Sequence, residues 1–289
     1  MSQKKILIQL DADSQASVFD AVVAIESEID HLLQYRDVKA EDVRTLVHGA
    51  MFTRGPKELK NTAIFIGGTD VAIGEDLLKQ VRSAFFGPIQ VSVLLDANGA
   101  NTTAAAAVIA ASRHVDLSQA NVLVLAATGP VGQRVARLLT HCGASVRIAS
   151  RVLQRVEDLR ASLSERDQMD NISVCQTSSK EELQAALEGV SVVIAAGAFG
   201  VELLPKELFV DADLLRVAID LNAVPPLGIG GVDALDKAVE RHGVTCYGAI
   251  GVGGTKMKIH QAAIQELFTA NDLVLDAEEV FAIGQSLES

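Results

Sequence analysis

Gly129 and Gly132 stand in a pattern that could bind the phosphates of a dinucleotide. Residues 122–127 predict a buried strand, and the turn that follows has the spacing Ala127-x-Gly129-x-x-Gly132 before a predicted helix. This spacing matches the fingerprint G-x-G-x-x-G with its first glycine replaced. Gly129 would let the backbone approach a pyrophosphate, Gly132 would let helix and strand pack closely, and N–H groups at the helix start would face the negative charge. The predicted phosphate-binding residues are Thr128, Gly129, Pro130, Val131 and Gly132.

The end of the next predicted strand indicates which dinucleotide would bind. An NAD site usually carries an acidic residue there, about 20 residues after the motif, to bind the ribose 2′-hydroxyl. This chain has Ser150 and Arg151 instead, with Arg155 one helical turn further on and no carboxylate before Glu157. Because a guanidinium pairs well with a phosphate, we predict NADP rather than NAD, bound through these three residues. The alternative is that the two arginines form a solvated helix face.

Two further loops could hold the nicotinamide half of the cofactor. Ala196 and Gly197 follow a predicted strand with small side chains, and Asn222 follows another. The second loop continues through Pro225 into a glycine-rich stretch, so it would be stiff at proline and permissive at glycine. Loops at the carboxyl ends of strands bind ligands in open α/β sheets. We expect all four residues near the cofactor, and an ordinary structural turn is the alternative.

Short apolar runs alternate with amphipathic stretches along the whole chain, which favours an α/β fold with parallel sheets. The predicted strands are residues 5–10, 31–35, 62–67, 91–96, 122–127, 146–150, 173–176, 190–195, 216–220 and 244–248. The predicted helices are residues 17–28, 41–52, 71–85, 102–113, 132–141, 152–163, 180–187, 233–241, 257–268 and 277–286.

The pattern predicts two α/β domains with a cleft between them, the second a Rossmann-type doubly wound parallel sheet. A polar stretch at residues 114–120 separates them. Residues 1–114 would form the substrate domain, completed by the C-terminal helices of residues 257–289. Residues 115–256 would form the NADP-binding domain.

Composition excludes several classes of protein. The 289 residues carry 25 Lys and Arg against 37 Asp and Glu, a formal charge of −12, which disfavours nucleic-acid binding. No apolar run reaches bilayer length, and the first one is too short for a signal peptide. Three widely spaced cysteines without a C-x-x-C motif suggest reduced thiols in a cytoplasmic protein. The six histidines form no H-x-x-x-H pair, so no metal site is predicted.

Seven motifs together resemble the bacterial NADP-dependent methylene-tetrahydromethanopterin dehydrogenases. They are SVFD at 17–20, FTRG at 52–55, IGG at 66–68, DANGANTT at 96–103, TGPVG at 128–132, NAVPPLGIGG at 222–231 and GAIGVGGTKMK at 248–258. The likeness spans nearly the whole chain, and the proline–glycine stretch is far more specific than the phosphate turn. The chain departs from the family pattern at two positions. It has Ala127 where the family has glycine, and it has Val152 where the family has a second basic residue after the arginine.

The resemblance implies an activity in one-carbon metabolism, of the kind found in methylotrophs. It implies oxidation of methylene-tetrahydromethanopterin to the methenyl form, with hydride passing to NADP+. It also implies that methylene-tetrahydrofolate could be accepted, and that the protein forms a homo-oligomer, a trimer or hexamer.

In such a substrate the reacting carbon bridges two nitrogens, whose lone pairs stabilise the cation that remains when hydride departs. No proton leaves that carbon, so catalysis requires mainly that it be held about 3–3.5 Å from the acceptor carbon. Asp20 and Asp96 could accept hydrogen bonds from the pterin, Thr102 and Thr103 could contact it, and Lys256 could orient it or meet its anionic tail. The alternatives are a solvated Asp20, helix caps at Asp96 and the threonines, and a surface lysine.

Three other functions compete with this interpretation. A bifunctional methylene-tetrahydrofolate dehydrogenase/cyclohydrolase would need a lysine in the first domain, where Lys57 and Lys60 are the candidates. Shikimate dehydrogenase shares the Rossmann half, but no Ser/Thr-rich first-domain loop followed by a lysine is present. A non-catalytic NADP sensor would have no use for residues 96–103.

Overall fold

Strands and helices alternate along the chain, as the apolar pattern predicts. The computed structural model describes residues 3–167 and 171–288. The strands are β1 (Ile6–Leu10), β2 (His31–Tyr35), β3 (Thr62–Ile66), β4 (Ser92–Leu95), β5 (Asn121–Leu125), β6 (Ser145–Ser150), β7 (Ile172–Gln176), β8 (Val192–Ala195), β9 (Val217–Asp220), β10 (Lys237–Arg241), β11 (Val244–Tyr247) and β12 (Val274–Leu275). The helices are α1 (Val18–Glu26), α2 (Ala40–Met51), α3 (Val71–Ala84), α4 (Ala100–Ser112), α5 (Pro130–His141), α6 (Leu153–Asp167), α7 (Lys180–Leu187), α8 (Lys206–Val210), α9 (Ala249–Glu266) and α10 (Ala277–Ser286).

The chain folds as two compact units, each built on its own sheet. Unit 1 comprises the described residues up to 102 and from 257 onward, and unit 2 comprises residues 103–256. The chain passes from one unit to the other inside α4 and returns inside α9. The sequence predicts the first domain boundary at 114/115, after α4, whereas the compact units divide at 102/103, because the rest of this continuous helix belongs to unit 2.

Unit 1 contains a five-stranded sheet in the order β12-β4-β3-β1-β2, and every strand pair in it is parallel. All five residues of the central strand β3 are buried. This explains why its sequence is apolar on both faces, since a central parallel strand is covered by helices on each side.

Unit 2 contains a seven-stranded sheet in the order β10-β11-β9-β8-β5-β6-β7. All of its pairs are parallel except β10 with the neighbouring β11. From β7 to β11 this is the doubly wound order, in which the order of the strands along the chain reverses between β5 and β8. The predicted fold class is therefore confirmed.

The predicted helix at residues 233–241 is wrong, because that segment forms a turn and the edge strand β10. His242 and Gly243 both have positive φ, 53° and 78°, and form the tight turn that pairs β10 with β11. Such two-residue turns are the usual connection of a hairpin. Asp236 stabilises the segment by accepting bonds of 2.5 and 2.7 Å from the guanidinium of Arg241.

The helix predicted at 257–268 begins much earlier, at Ala249. The glycine-rich sequence of this segment is typical of a loop. In the structure, however, Gly251 lies in the first turn of α9 and packs directly on the backbone of Asp236. The short elements α8 and β12 were not predicted. No helix among residues 3–167 and 171–288 has both the length and the apolar character that a membrane crossing requires.

Candidate functional site

The turn after β5 has the shape that a pyrophosphate requires. Helix α5 starts at Pro130, and its N-cap residue Gly129 offers no side chain to the first N–H groups. A methyl group on Gly132 would lie 2.7 Å from the Cα atom of Ala127 and 2.8 Å from the carbonyl oxygen of Ala126. Only glycine fits there, so the helix start lies directly on the turn and its N–H groups are available to an anion.

The loop after β8 meets this turn at the point where the strand order reverses. The N–H group of Ala196 donates to the carbonyl oxygen of Leu125 at 3.1 Å. The carbonyl oxygen of Ala196 lies 3.7 Å from the position that a Cβ atom would take on Gly129. A Cβ atom on Gly197 would lie 2.7 Å from the side chain of Leu203. The two loops thus form one edge, which is where open α/β sheets bind dinucleotides.

The basic residues expected at the 2′-phosphate follow the adjacent strand β6. The N–H group of Ala127 donates to the carbonyl oxygen of Ala149 at 3.0 Å, which fixes the turn beside the end of β6. Ser150 is buried and accepts a hydrogen bond from the N–H group of Val152. Arg151 and Arg155 are both exposed. Within residues 3–167 and 171–288, neither guanidinium forms an ion pair with a carboxylate, so both remain available to an anionic ligand.

Asp220, a residue that the sequence analysis missed, organises the loop after β9. It is buried and accepts hydrogen bonds from the N–H groups of Asn222 at 3.0 Å and Ile229 at 2.9 Å, which draws the two ends of the loop together. Burial raises the pKa of Asp220, although these backbone hydrogen bonds oppose the shift. A carboxylate that ends an otherwise apolar strand was the sequence signal that could have identified it.

The side chain of Asn222 stabilises the loop through hydrogen bonds within it. Its side chain is buried, accepts from the N–H group of Val224 at 3.0 Å and donates to the carbonyl oxygen of Pro226 at 3.2 Å. The bond between Pro225 and Pro226 is cis, and Pro225 is exposed. Asn222 therefore shapes the loop from inside, whereas Pro225 faces solvent.

In unit 1, carboxylates gather at the carboxyl ends of β1 and β3. The buried Asp11 accepts from the N–H groups of Asp13 and Ser17, at 2.9 and 3.0 Å. Asp20 lies in the first turn of α1, with one carboxylate oxygen 3.1 Å from the position of a Cβ atom on Gly67. The Asp11 carboxylate lies 3.6 Å from the same position. Asp20 is therefore held at this edge of the sheet, beside a glycine that leaves it room.

Asp96 and Thr102 form a buried cap at the start of α4. Asp96 accepts from the N–H groups of Asn101 and Thr102, at 2.9 and 3.0 Å, and from the Thr102 hydroxyl at 2.6 Å. Both side chains are almost completely buried. Thr103 is half-buried. Asp96 and Thr102 thus position the start of the helix. This agrees with the alternative interpretation of these residues as helix caps.

Helix α9 carries the candidate Lys256 and a histidine that sequence reasoning passed over. His260 is fully buried, with its ring centroid 5.5 Å from that of Phe65 and 6.4 Å from that of Phe19. Lys256 precedes His260 by four residues on the same helix, so the two side chains leave one helix face. The Lys-x-x-x-His spacing in a helical stretch was the sequence signal that could have identified His260.

The cysteines do not provide a nucleophile. All three are free thiols, and burial raises the pKa of Cys175 to about 11 and that of Cys246 to about 12. They are therefore protonated at neutral pH. Among the described ranges, no three His, Cys, Asp or Glu side chains are grouped in a way that could hold a metal ion.

The parallel sheets and the turn after β5 define a Rossmann-type class of protein. The family model "Methylene-tetrahydromethanopterin dehydrogenase, N-terminal" matches residues 18–98. "Bifunctional protein MdtA" of Methylorubrum extorquens is 41% identical over 286 residues, which is 98% of this chain and 99% of that protein. The chain belongs to the methylene-tetrahydromethanopterin dehydrogenase family.

A second relative agrees with this assignment, and two solved structures share the fold. The "NAD(P)-dependent methylenetetrahydromethanopterin dehydrogenase" of the same organism is 29% identical, over 97% of this chain and 98% of that one. A chorismate mutase/shikimate 5-dehydrogenase fusion protein from Clostridium acetobutylicum has a TM-score of 0.55 at 13% identity, with 99% of this chain and 98% of that one covered. Quinate dehydrogenase from Corynebacterium glutamicum in complex with NAD has a TM-score of 0.54 at 13% identity, with 98% and 100% covered. These two structures show the fold alone.

Proposed function

We propose that this protein oxidises methylene-tetrahydromethanopterin to the methenyl form and transfers the hydride to NADP+. The end-to-end match to a relative 41% identical, within a family named for this dehydrogenase, carries the proposal. The turn at Gly129 and Gly132 supports it independently, because a side chain at Gly132 would collide with the backbone. The residues present therefore fit a dinucleotide.

The chemistry explains why the described residues include neither a metal cluster nor an activated nucleophile. When bound, the nicotinamide ring supplies the carbon that accepts the hydride. The nitrogens that flank the reacting carbon stabilise the product cation, so the protein need not remove a proton there. Its task is to bind, to orient and to exclude water, and correct placement alone can contribute several kcal/mol, roughly 7–11 in the best intramolecular cases.

Arg151 and Arg155 are proposed to select NADP over NAD. Both are exposed, follow the end of β6 and lack an acidic partner among the described residues. The N–H groups at the start of α5 would bind the pyrophosphate, and Ser150 would support the ribose phosphate. The loops at Ala196–Gly197 and Asn222–Pro225 would hold the nicotinamide half.

Unit 1 is proposed to bind the pterin. Asp20, at the carboxyl edge of its sheet, would accept hydrogen bonds from the amide and amino groups of the ring. Asp96 and Thr102 would act by fixing the start of α4, where Thr103 is half-buried and able to contact substrate. Lys256 on α9 would orient the pterin or bind its anionic tail.

An absorbance assay tests the proposal. With NADP+ and methylene-tetrahydromethanopterin, we expect NADPH and the methenyl product to form in equal amounts. Binding of NADP+ without turnover of this substrate or of methylene-tetrahydrofolate would instead identify a sensor. Hydrolysis of the methenyl product would identify a cyclohydrolase. That activity is disfavoured because Lys57 and Lys60 lie in the segment Pro56–Asn61 that precedes β3, at the opposite end of the strand from Asp20.

The cellular setting follows from the same proposal. We infer a cytoplasmic homo-oligomer, a trimer or hexamer, that serves one-carbon metabolism in a methylotrophic organism and could also accept methylene-tetrahydrofolate. Sedimentation equilibrium would give the oligomeric state, and a monomer would contradict that part of the inference.

A further inference from the structure

Phe199 lies exposed in the loop after β8, beside the candidate dinucleotide site. Its side chain is 76% exposed, in a unit whose other phenylalanine, Phe209, is almost completely buried. A single exposed aromatic residue needs no explanation by itself. Its position gives this one significance, because it follows β8 in the loop that meets the phosphate turn.

Two glycines flank Phe199 in this loop. Before it, Gly197 packs on the side chain of Leu203. After it, Gly200 has a φ of 70°, and a Cβ atom there would lie 3.8 Å from the carbonyl oxygen of Pro225 and 3.9 Å from the ring of Pro226. The loop therefore rests against the proline pair, and Phe199 projects from a constrained segment into solvent.

The direction of a bound dinucleotide follows from the doubly wound sheet. The pyrophosphate lies at the start of α5, and the two nucleotide halves extend to opposite sides of the point where the strand order reverses. Arg151 after β6 marks the adenosine side. Phe199 after β8 and Pro225 after β9 mark the nicotinamide side.

We propose that Phe199 is a binding residue that packs against the nicotinamide ring of bound NADP and shields it from water. This inference rests on the proposed function. An aromatic ring suits the role because it packs on a planar ring and loses little conformational freedom in doing so.

Calorimetric titration tests the proposal without measuring turnover. The ligands are NADP+ and 2′-phospho-ADP-ribose, which keeps the pyrophosphate and 2′-phosphate but lacks nicotinamide. Phe199→Ala should weaken NADP+ binding about tenfold, the scale of one lost ring contact with its buried area, and change 2′-phospho-ADP-ribose binding less than about twofold. Phe199→Tyr should retain the affinity for NADP+. Phe86→Ala removes a phenylalanine that is 69% exposed in unit 1 and serves as the matched control.

Equal weakening of both ligands would overturn the proposal, because it would indicate a general disturbance of the loop. Unchanged NADP+ affinity in Phe199→Ala would overturn it as well. If the unaltered protein bound neither ligand, the proposed function itself would fall, and this inference with it.

Discussion

Gly132 packs against the backbone of Ala127 so closely that a methyl group on Gly132 would lie 2.7 Å from the Cα atom of Ala127. The start of α5 therefore cannot lie on the turn if residue 132 carries a side chain. We expect Gly132→Ala to move the helix start away from the turn and to weaken NADP+ binding at least tenfold. Calorimetry would measure the affinity, and thermal unfolding would show how far the strain also destabilises the fold.

Gly49→Ala is the matched control for this substitution. Gly49 lies inside α2, and a Cβ atom there would meet no other atom within 4 Å. Alanine should therefore stabilise the protein by up to about 1 kcal/mol and leave cofactor binding unchanged. If Gly132→Ala behaved like Gly49→Ala, the close packing at the turn would be refuted.

Arg151→Ala tests cofactor selection. Because the guanidinium is proposed to pair with the 2′-phosphate, its removal should raise KM for NADP+ at least tenfold and leave KM for NAD+ nearly unchanged. Steady-state kinetics with both cofactors measures the ratio. Arg160→Ala, an exposed arginine on α6, is the control and should alter neither value. Equal effects on both cofactors in Arg151→Ala would remove the argument for NADP selection.

Lys256→Ala tests the pterin site. The side chain is proposed to orient the substrate, so kcat/KM for the pterin should fall, by a factor of about 100 if a transition-state contact worth about 2.7 kcal/mol is lost. NADP+ affinity should stay nearly constant, since Lys256 is not among the residues proposed to bind the cofactor. Lys258→Ala changes an exposed lysine of the same helix and should remain fully active. Full turnover by Lys256→Ala would exclude Lys256 from the reaction.

Asp236 links stability to pH. Burial alone would raise its pKa, but the hydrogen bonds from Arg241 and from the backbone of Asp233 outweigh burial and hold the pKa below its ordinary value. A carboxyl with a lowered pKa stabilises the fold above its unfolded pKa of about 4, and that contribution is lost as the pH falls through the folded value. Asp236→Asn should therefore reduce the free energy of unfolding by about 2 kcal/mol at pH 7, and by progressively less as the pH falls from about 4 towards the lower, folded-state pKa.

Urea unfolding across this pH range makes the measurement. Asp30, which forms an exposed ion pair with Lys4, supplies the control, and Asp30→Asn should have a much smaller effect at every pH. A constant loss of stability in Asp236→Asn from pH 7 to pH 3 would show that the ion pair is not the cause.

Most of the fold could be predicted from the sequence. In the central elements, the spacing of the apolar residues and the residue composition indicate the same type of structure. The strand at residues 62–66 is buried on both faces, and the turn at 127–132 has glycine where the geometry admits nothing larger. Sequence reasoning failed at residues 233–241, where the hairpin depends on a positive φ at His242 and on an ion pair that only the folded chain creates. It also missed the start of α9, because glycines that serve close packing resemble loop glycines.

For the site, the residue types could be predicted from the sequence, but their hydrogen-bond partners could not. Asp96 and Asp20 look alike at the ends of apolar runs, yet Asp96 caps α4 from a buried position whereas Asp20 sits half-buried beside Gly67. Asp220 closes a loop through backbone N–H groups, and such bonds have no periodicity to reveal them.

Isotope transfer tests direct hydride donation from the pterin to NADP+. The substrate is methylene-tetrahydromethanopterin with deuterium at both positions of the bridging carbon, in ordinary water. We expect each turnover to yield one NADPH that carries a single deuterium at C4 and one singly deuterated methenyl product. NADPH with solvent hydrogen at C4, or methenyl product without NADPH, would contradict direct hydride transfer in this protein.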